Sequence, residues 1–382
     1  MDSLLIKNAR LPEGACGAPF GDVASSGGVI TYVGPKFTGS ARRVLDAGGE
    51  LLLPGFVDIH FHGAAGCDFC DADFEGLLSI ANRRLAEGVT TAVPATLTLP
   101  EGRLRGAFET AARYCGAGSP FCRIPGIHLE GPFINREMAG AQNPEFARAP
   151  DIGMVRRLSS AFKILKVSYS PELDPGCSFL RALVEDGIAP SCAHSCAGFA
   201  EFERARAFGL RGITHFGNRL GPLSPRDIGA LGAGLLFDDV SCEIIADMVH
   251  LSCDMLRLVF AKKPLSRIIL ITDAMRASWM PDGTYSLGGL GVDVRRGEAR
   301  LVSGGALAGS VLKMNEALRN ACAVSGVPPE RLWPVSSLNA ASSLGIPLTG
   351  KIAEGWAADF ALLSGDFRVL KTVVAGEVRF CA

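Results

Sequence analysis

Two hydrophobic rhythms divide the chain. At both ends, short apolar runs alternate with turn residues. Leu4-Leu5-Ile6 and Gly28-Val29-Ile30-Thr31-Tyr32-Val33-Gly34 are bounded by Gly, Pro and Ser. The pattern returns in Ala358-Asp359-Phe360-Ala361-Leu362-Leu363 and in Val369-Leu370-Lys371-Thr372-Val373-Val374-Ala375-Gly376. Runs rich in β-branched residues between such punctuation read as strands. Two β-rich ends around a different middle predict one small, discontinuous β domain, a β-sandwich built from residues 1–53 and 346–382.

The middle, 54–345, alternates differently. Apolar β-like runs are followed by stretches with helical spacing, such as 74–86, 104–114, 153–162 and 198–208. Strands alternating with helices argue for a parallel sheet. Eight strands are predicted, at 55–62, 89–97, 124–130, 165–171, 188–194, 212–215, 240–247 and 267–273. Eight strand–helix units over roughly 290 residues is the size of a (β/α)8 barrel. An open doubly wound sheet is the alternative, weakened because no Gly-rich phosphate loop follows the first strand.

In a (β/α)8 barrel the catalytic groups sit at the C-terminal ends of the strands. The polar residues of the apolar runs fall there. Strand one ends in His60-Phe61-His62, whose histidines share a strand face. Strand three ends in Glu130, five in His194, six in His215 and eight in Asp273. The chain has six histidines, and four of them occupy these positions. Any one of them reads equally well as a cap or a hydrogen-bonded polar residue. Together they converge on one mouth, and nitrogen with oxygen donors suits Zn²⁺ or a similar divalent ion. His128 shares the face of Glu130 and reads as a packed barrel residue. His250, beyond strand seven, reads as a substrate contact.

Composition narrows the classes. The chain has 382 residues, 48% of them hydrophobic, and a net charge of −1. There is no basic stripe, which argues against nucleic acid and anionic membrane surfaces as partners. No apolar run is long enough to span a bilayer, and Met1-Asp2-Ser3-Leu4-Leu5-Ile6-Lys7 lacks the pattern of a signal peptide. Twelve cysteines without a secretion signal read as reduced thiols, with a cytoplasmic location. Cys67-Asp68-Phe69-Cys70 and the Cys192/Cys196 pair around His194 do not form a structural zinc pattern.

The segments at 54–63, 126–133, 140–146, 193–195, 214–218, 243–250, 271–276, 307–310 and 350–359 resemble the amidohydrolase superfamily. Within it, His128-Leu129-Glu130-Gly131-Pro132-Phe133 and Ile271-Thr272-Asp273-Ala274-Met275 resemble the N-acetylglucosamine-6-phosphate deacetylases, over essentially the whole chain. That resemblance implies a metal held by Glu130, His194 and His215, most often Zn²⁺, with Fe²⁺ or another divalent ion as alternatives. Relatives that keep the strand-one pair hold a second ion there, so His60 and His62 mark a second site. Asp273 matches the catalytic acid/base. Asn218, Arg226 and His250 match sugar-phosphate contacts, and the 307–309 loop, beginning with Leu307, matches another. In relatives the arginine reaches across from a neighbouring subunit, which implies a homodimer.

Two departures stand out. Gln142, beside Ala141 in the loop after strand three, replaces a histidine that polarises the amide carbonyl; its NH₂ can still donate a hydrogen bond. Arg219 follows Asn218 where relatives have alanine, and adds a cation near the sugar site. The implied reaction is hydrolysis of the acetamide of N-acetylglucosamine 6-phosphate, with N-acetylgalactosamine 6-phosphate as the alternative. A cyclic amidase fits less well, because Lys166 lies at the start of strand four, not its end. A deaminase and a non-catalytic barrel are the remaining alternatives.

Overall fold

In the computed structural model, which describes residues 2–118 and 121–382, the apolar runs of the middle form a ring of parallel strands. The barrel strands are β1 (Phe56–Asp58), β2 (Val89–Ala92), β3 (Ile127–Glu130) and β4 (Ile164–Tyr169). They continue with β5 (Ala189–Cys192), β6 (Gly212–Ile213), β7 (Ser241–Ile245) and β8 (Ile268–Ile271). Strands β3 to β8 pair in order and in parallel. β1 pairs β2, and the parallel bridges Thr91–Arg123 and Ala95–His128 carry the ring on to β3. It closes where the Asp273 N–H donates to the His60 carbonyl at 2.8 Å. The expected (β/α)8 barrel is present.

The helices follow from caps and periodicity. In Phe74–Leu85 the Asp73 side chain accepts from the N–H groups of Glu75 and Gly76. This satisfies orphan donors of the first turn. Leu77, Ile80, Ala81 and Leu85 recur at helical spacing and are buried against the barrel. Among the described residues no helix is long and apolar enough to cross a membrane.

The regular strands stop earlier than the apolar runs predict, for a local reason. His194, His215 and Asp273 each lie two residues past the last ladder residue. Their φ angles are 46°, 33° and 49°, in the left-handed region. Such a backbone turns each side chain from the strand direction into the mouth, at a cost of about 1–3 kcal/mol per residue. At 59–62 the chain leaves the β2 ladder. The His60 N–H goes to Asp58 Oδ1 at 3.2 Å, and the His62 N–H to the Ala274 carbonyl at 2.7 Å.

Both termini enter one eight-stranded sheet. Leu51–Pro54 pairs antiparallel with Phe360–Leu363, joining the two ends of the chain. Strand Asp2–Arg10 pairs Ala41–Asp46 over most of its length and meets Leu51 only at Arg10. The two halves meet around a core of Leu4, Ile6, Val23, Ile30, Leu52, Phe360 and Val373. Between β8 and helix Met314–Ser325 lies an antiparallel insert of three strands, Gly283–Leu287, Leu290–Arg295 and Glu298–Leu301. The strand-and-helix pattern alone does not set it apart.

Candidate active site

The C-terminal ends of the barrel strands surround a cavity of about 240 Å³. His62, Glu130, His194, His215 and Asp273 form its floor, and His250 lies at its side. Ala141, Gln142, Asn218, Arg219 and Leu307 also line it. His60 lies fully buried beneath. A larger cavity, about 430 Å³, opens at the opposite face beside the starts of β4 to β8, and carries none of the strand-end residues. The chemistry is therefore at the smaller one.

Glu130 organises the floor. Its Oε1 is 3.1 Å from His194 Nε2 and 3.0 Å from His215 Nε2. Its Oε2 is 3.2 Å from His60 Nε2 and 3.3 Å from His62 Nε2. Asp273 Oδ1 completes the second group, 3.2 Å from His62 Nε2 and 3.6 Å from His60 Nε2. Two donor groups result, Glu130–His194–His215 and His60–His62–Asp273, each with ligand atoms within 4.8 Å of one another. Neither includes a cysteine.

The hydrogen bonds around these groups ask for a cation. His194 Nδ1 lies 2.9 Å from the Met138 carbonyl, and His62 Nδ1 3.2 Å from the Ala95 carbonyl. A carbonyl only accepts, so each Nδ1 carries a hydrogen, and in the neutral imidazole each Nε2 presents a lone pair. Those lone pairs face carboxylate oxygens, which are also acceptors. Among the described residues no lysine or arginine pairs with Glu130 or Asp273. Burial of this kind requires an opposite charge. The electrostatics of the floor carry the same deficit. Burial alone would lower His60, but Glu130 and Asp273 overcome it and push it up to about 10. Burial opposes ionisation of Asp273, yet His60 and His62 hold it down at about 2. Burial also opposes ionisation of Glu130, yet its imidazole partners, His60 foremost, hold it well below the usual carboxylate range. Nitrogen and oxygen donors in this arrangement fit a divalent ion.

The neighbours hold these ligands in place. Gln142 is almost fully buried. Its NH₂ donates to Glu130 Oε2 at 3.1 Å, and its carbonyl accepts from the Thr98 N–H at 2.6 Å. Asp58 accepts from Thr272 Oγ1 at 2.6 Å and pairs with the buried Arg84, tying β1 to β8 under the floor. The Gly309 loop sits on Asp273: the Ser310 N–H donates to the Asp273 carbonyl at 2.7 Å. A Cβ on Gly309, at φ 61°, would come 3.0 Å from that same carbonyl, so a larger residue would strain the backbone and crowd this approach. At Gly140, φ 61°, a Cβ would stand 2.5 Å from Arg219 Nε, so a larger residue there would displace the Arg219 side chain.

His250 Nδ1 lies 2.7 Å from Asp247 Oδ2, which orients the ring toward the cavity. His128 is buried against Ser168 Oγ at 2.7 Å and belongs to neither donor group. Arg226 is exposed and does not line the cavity. Sequence reasoning missed Asp58, Asp247, Leu287 and Ala306. Asp247 had a signal, three residues before His250. Leu287 and Ala306 come with the insert, whose Gly288-Gly289 turn at φ 59° and 90° marks a hairpin.

The sequence matches the amidohydrolase family over residues 51–379. It is 34% identical over 383 residues to an N-acetylglucosamine-6-phosphate deacetylase of Lysinibacillus sphaericus, covering 99% of this chain and 98% of that one. It is 33% identical to an N-acetylgalactosamine-6-phosphate deacetylase of Escherichia coli O157:H7, covering 92% of each. Among solved structures it resembles an aspartate-to-alanine variant of N-acetyl-D-glucosamine-6-phosphate deacetylase from Mycobacterium smegmatis, in complex with N-acetyl-D-glucosamine-6-phosphate. That match has a TM-score of 0.89 at 30% identity, and covers 99% of this chain and 100% of the other.

Proposed function

The chain belongs to the amidohydrolase family, and on that premise we propose that it hydrolyses N-acetylglucosamine 6-phosphate to acetate and glucosamine 6-phosphate. The observation that carries this reading is the Glu130 carboxylate, which presents one oxygen to His194 and His215 and the other to His60 and His62. Asp273 stands at the edge of the same floor.

In this reading Glu130, His194 and His215 hold the primary divalent ion, Zn²⁺ by preference, and His60 with His62 hold a second. An ion bound there would lower the pKa of water toward neutrality and would stabilise charge on the amide oxygen. Asp273 is ionised at working pH, so it accepts the proton of the attacking water and returns it to the leaving amine. Gln142 fixes Glu130 with one N–H and has a second to offer the acetamide carbonyl. His250, Asn218 and Arg219 receive the sugar phosphate, so that remote binding energy positions the amide. Arg226 is outside its own cavity, which supports a homodimer in which it serves the neighbouring site. The same reading divides the chain into the barrel, 54–345, and the β domain of both termini, and takes the enzyme as cytoplasmic.

A second reading, N-acetylgalactosamine 6-phosphate as substrate, is favoured by the relative in Escherichia coli. Acetate release across a panel of N-acetylated sugar phosphates and their unphosphorylated forms decides between them. The expected result is preference for N-acetylglucosamine 6-phosphate. Equal turnover of unphosphorylated sugars would overturn the roles given to His250, Arg219 and Arg226.

A further inference from the structure

Four imidazoles belong to the two donor groups. His62 and His194 each have a carbonyl behind the ring, on Nδ1. His60 has none: both its ring nitrogens are buried without a hydrogen-bond partner. Behind it, 3.9 Å from Nδ1, stands Oε2 of Glu243. That oxygen is itself buried without a partner. Two orphan atoms of complementary kind therefore face each other inside the barrel. Glu243 lies in β7 and alternates with Ser241 and Ile245, so its side chain shares their face of the strand. Its other oxygen is bound by Lys166 of β4, almost fully buried.

We propose that Glu243, neutralised by Lys166, is the outer hydrogen-bond partner of His60 and sets the affinity of the second ion site. The inference rests on the reading of His60 and His62 as that site. An approach of about 1 Å brings Glu243 Oε2 within hydrogen-bond range of His60 Nδ1. The carboxylate then fixes the Nδ1–H tautomer, turns Nε2 toward the ion and makes it a stronger donor. Lys166 keeps the buried carboxylate from standing as an uncompensated charge. Glu243 is a positioning residue here and touches no substrate.

On this proposal an amide does not replace the acid alone. Lysine only donates, so in Glu243→Gln the carbonyl of the new amide would turn to Lys166. Its NH₂ would then face the His60 N–H, donor against donor. In Lys166→Gln the new amide donates to Glu243 Oε1 and leaves Oε2 free for His60. In the double variant the two amides satisfy one another and return a carbonyl to His60.

The test is metal content per chain by mass spectrometry, read against a series of buffered free Zn²⁺ concentrations, on folded protein verified by its thermal melt. Wild type is expected to bind two ions. Glu243→Gln is expected to weaken the second about 10–100-fold and leave the first unchanged. Lys166→Gln is expected to keep both, and Lys166→Gln/Glu243→Gln to recover much of the loss. Glu243→Gln binding its second ion as tightly as wild type overturns the inference, and so does Lys166→Gln weakening it equally, which would mark a purely structural ion pair. If Glu243→Gln does not fold, a double variant that folds but lacks the second ion overturns it. Wild type saturating at one ion overturns the two-ion reading on which it rests.

Discussion

Asp273 Oδ1 lies 3.2 Å from Nε2 of His62. The end of the last barrel strand is thus in contact with the histidine pair of the first, and the ring closes through its own chemistry. One carboxylate faces both the histidine pair and the cavity. A group placed there can move a proton between attacking water and leaving amine without leaving the floor. Asp273→Asn keeps the shape and removes the basic oxygen. Turnover should fall by about 10²–10⁴-fold, while the ion at Glu130, His194 and His215 stays bound. Activity and metal content measured on the same preparation check this; near-full activity would contradict the role.

The histidine pair lies on the Oε2 side of Glu130, and His194 with His215 on the Oε1 side. Replacing His60 and His62 together with alanine should remove one ion and leave one. Loss of all metal would place the pair in the primary site.

His250 carries a pH signature. Burial would lower its pKa, but the hydrogen bond and charge of Asp247, assisted by Asp273 and opposed by Arg300, raise it. The imidazole therefore stays cationic to higher pH than usual and weakens as an anion partner only as pH rises through the raised value. Asp247→Asn removes the main cause. KM should then begin to climb at lower pH than in wild type. The phosphate's own titration is common to both and cancels. Superimposable KM profiles would contradict the contact.

Arg84 is fully buried between Asp58 and Glu87, with Nη1 2.8 Å from Glu87 Oε2. Arg84→Met leaves two buried carboxylates without their cation. Urea unfolding should show a loss of about 3–5 kcal/mol. A change under about 1 kcal/mol, small beside the cost of an uncompensated buried charge, would mean that the carboxylates find other partners.

Much of this was legible in the sequence because a barrel repeats one rule. Apolar runs end in polar residues, and four of six histidines stood at such ends. The backbone at those ends was not legible. That His194, His215 and Asp273 take left-handed φ angles depends on the loops they enter, and no local propensity requires it of His or Asp. Contacts across long chain separations were also hidden. Gln142 reads as a carbonyl-polarising residue, and only the folded loop shows it gripping Glu130. Lys166 reads as a residue at the wrong end of its strand. Its partner Glu243 is 77 positions away, and only the barrel brings them together.

The most direct measurement is acetate release from N-acetylglucosamine 6-phosphate by the purified protein, before and after removal of divalent ions by a chelator. The expected result is one acetate per glucosamine 6-phosphate formed, lost on chelation and restored when Zn²⁺ or another divalent ion is returned. Fully metal-loaded protein that releases no acetate, or turnover unchanged by complete removal of metal, would contradict the account.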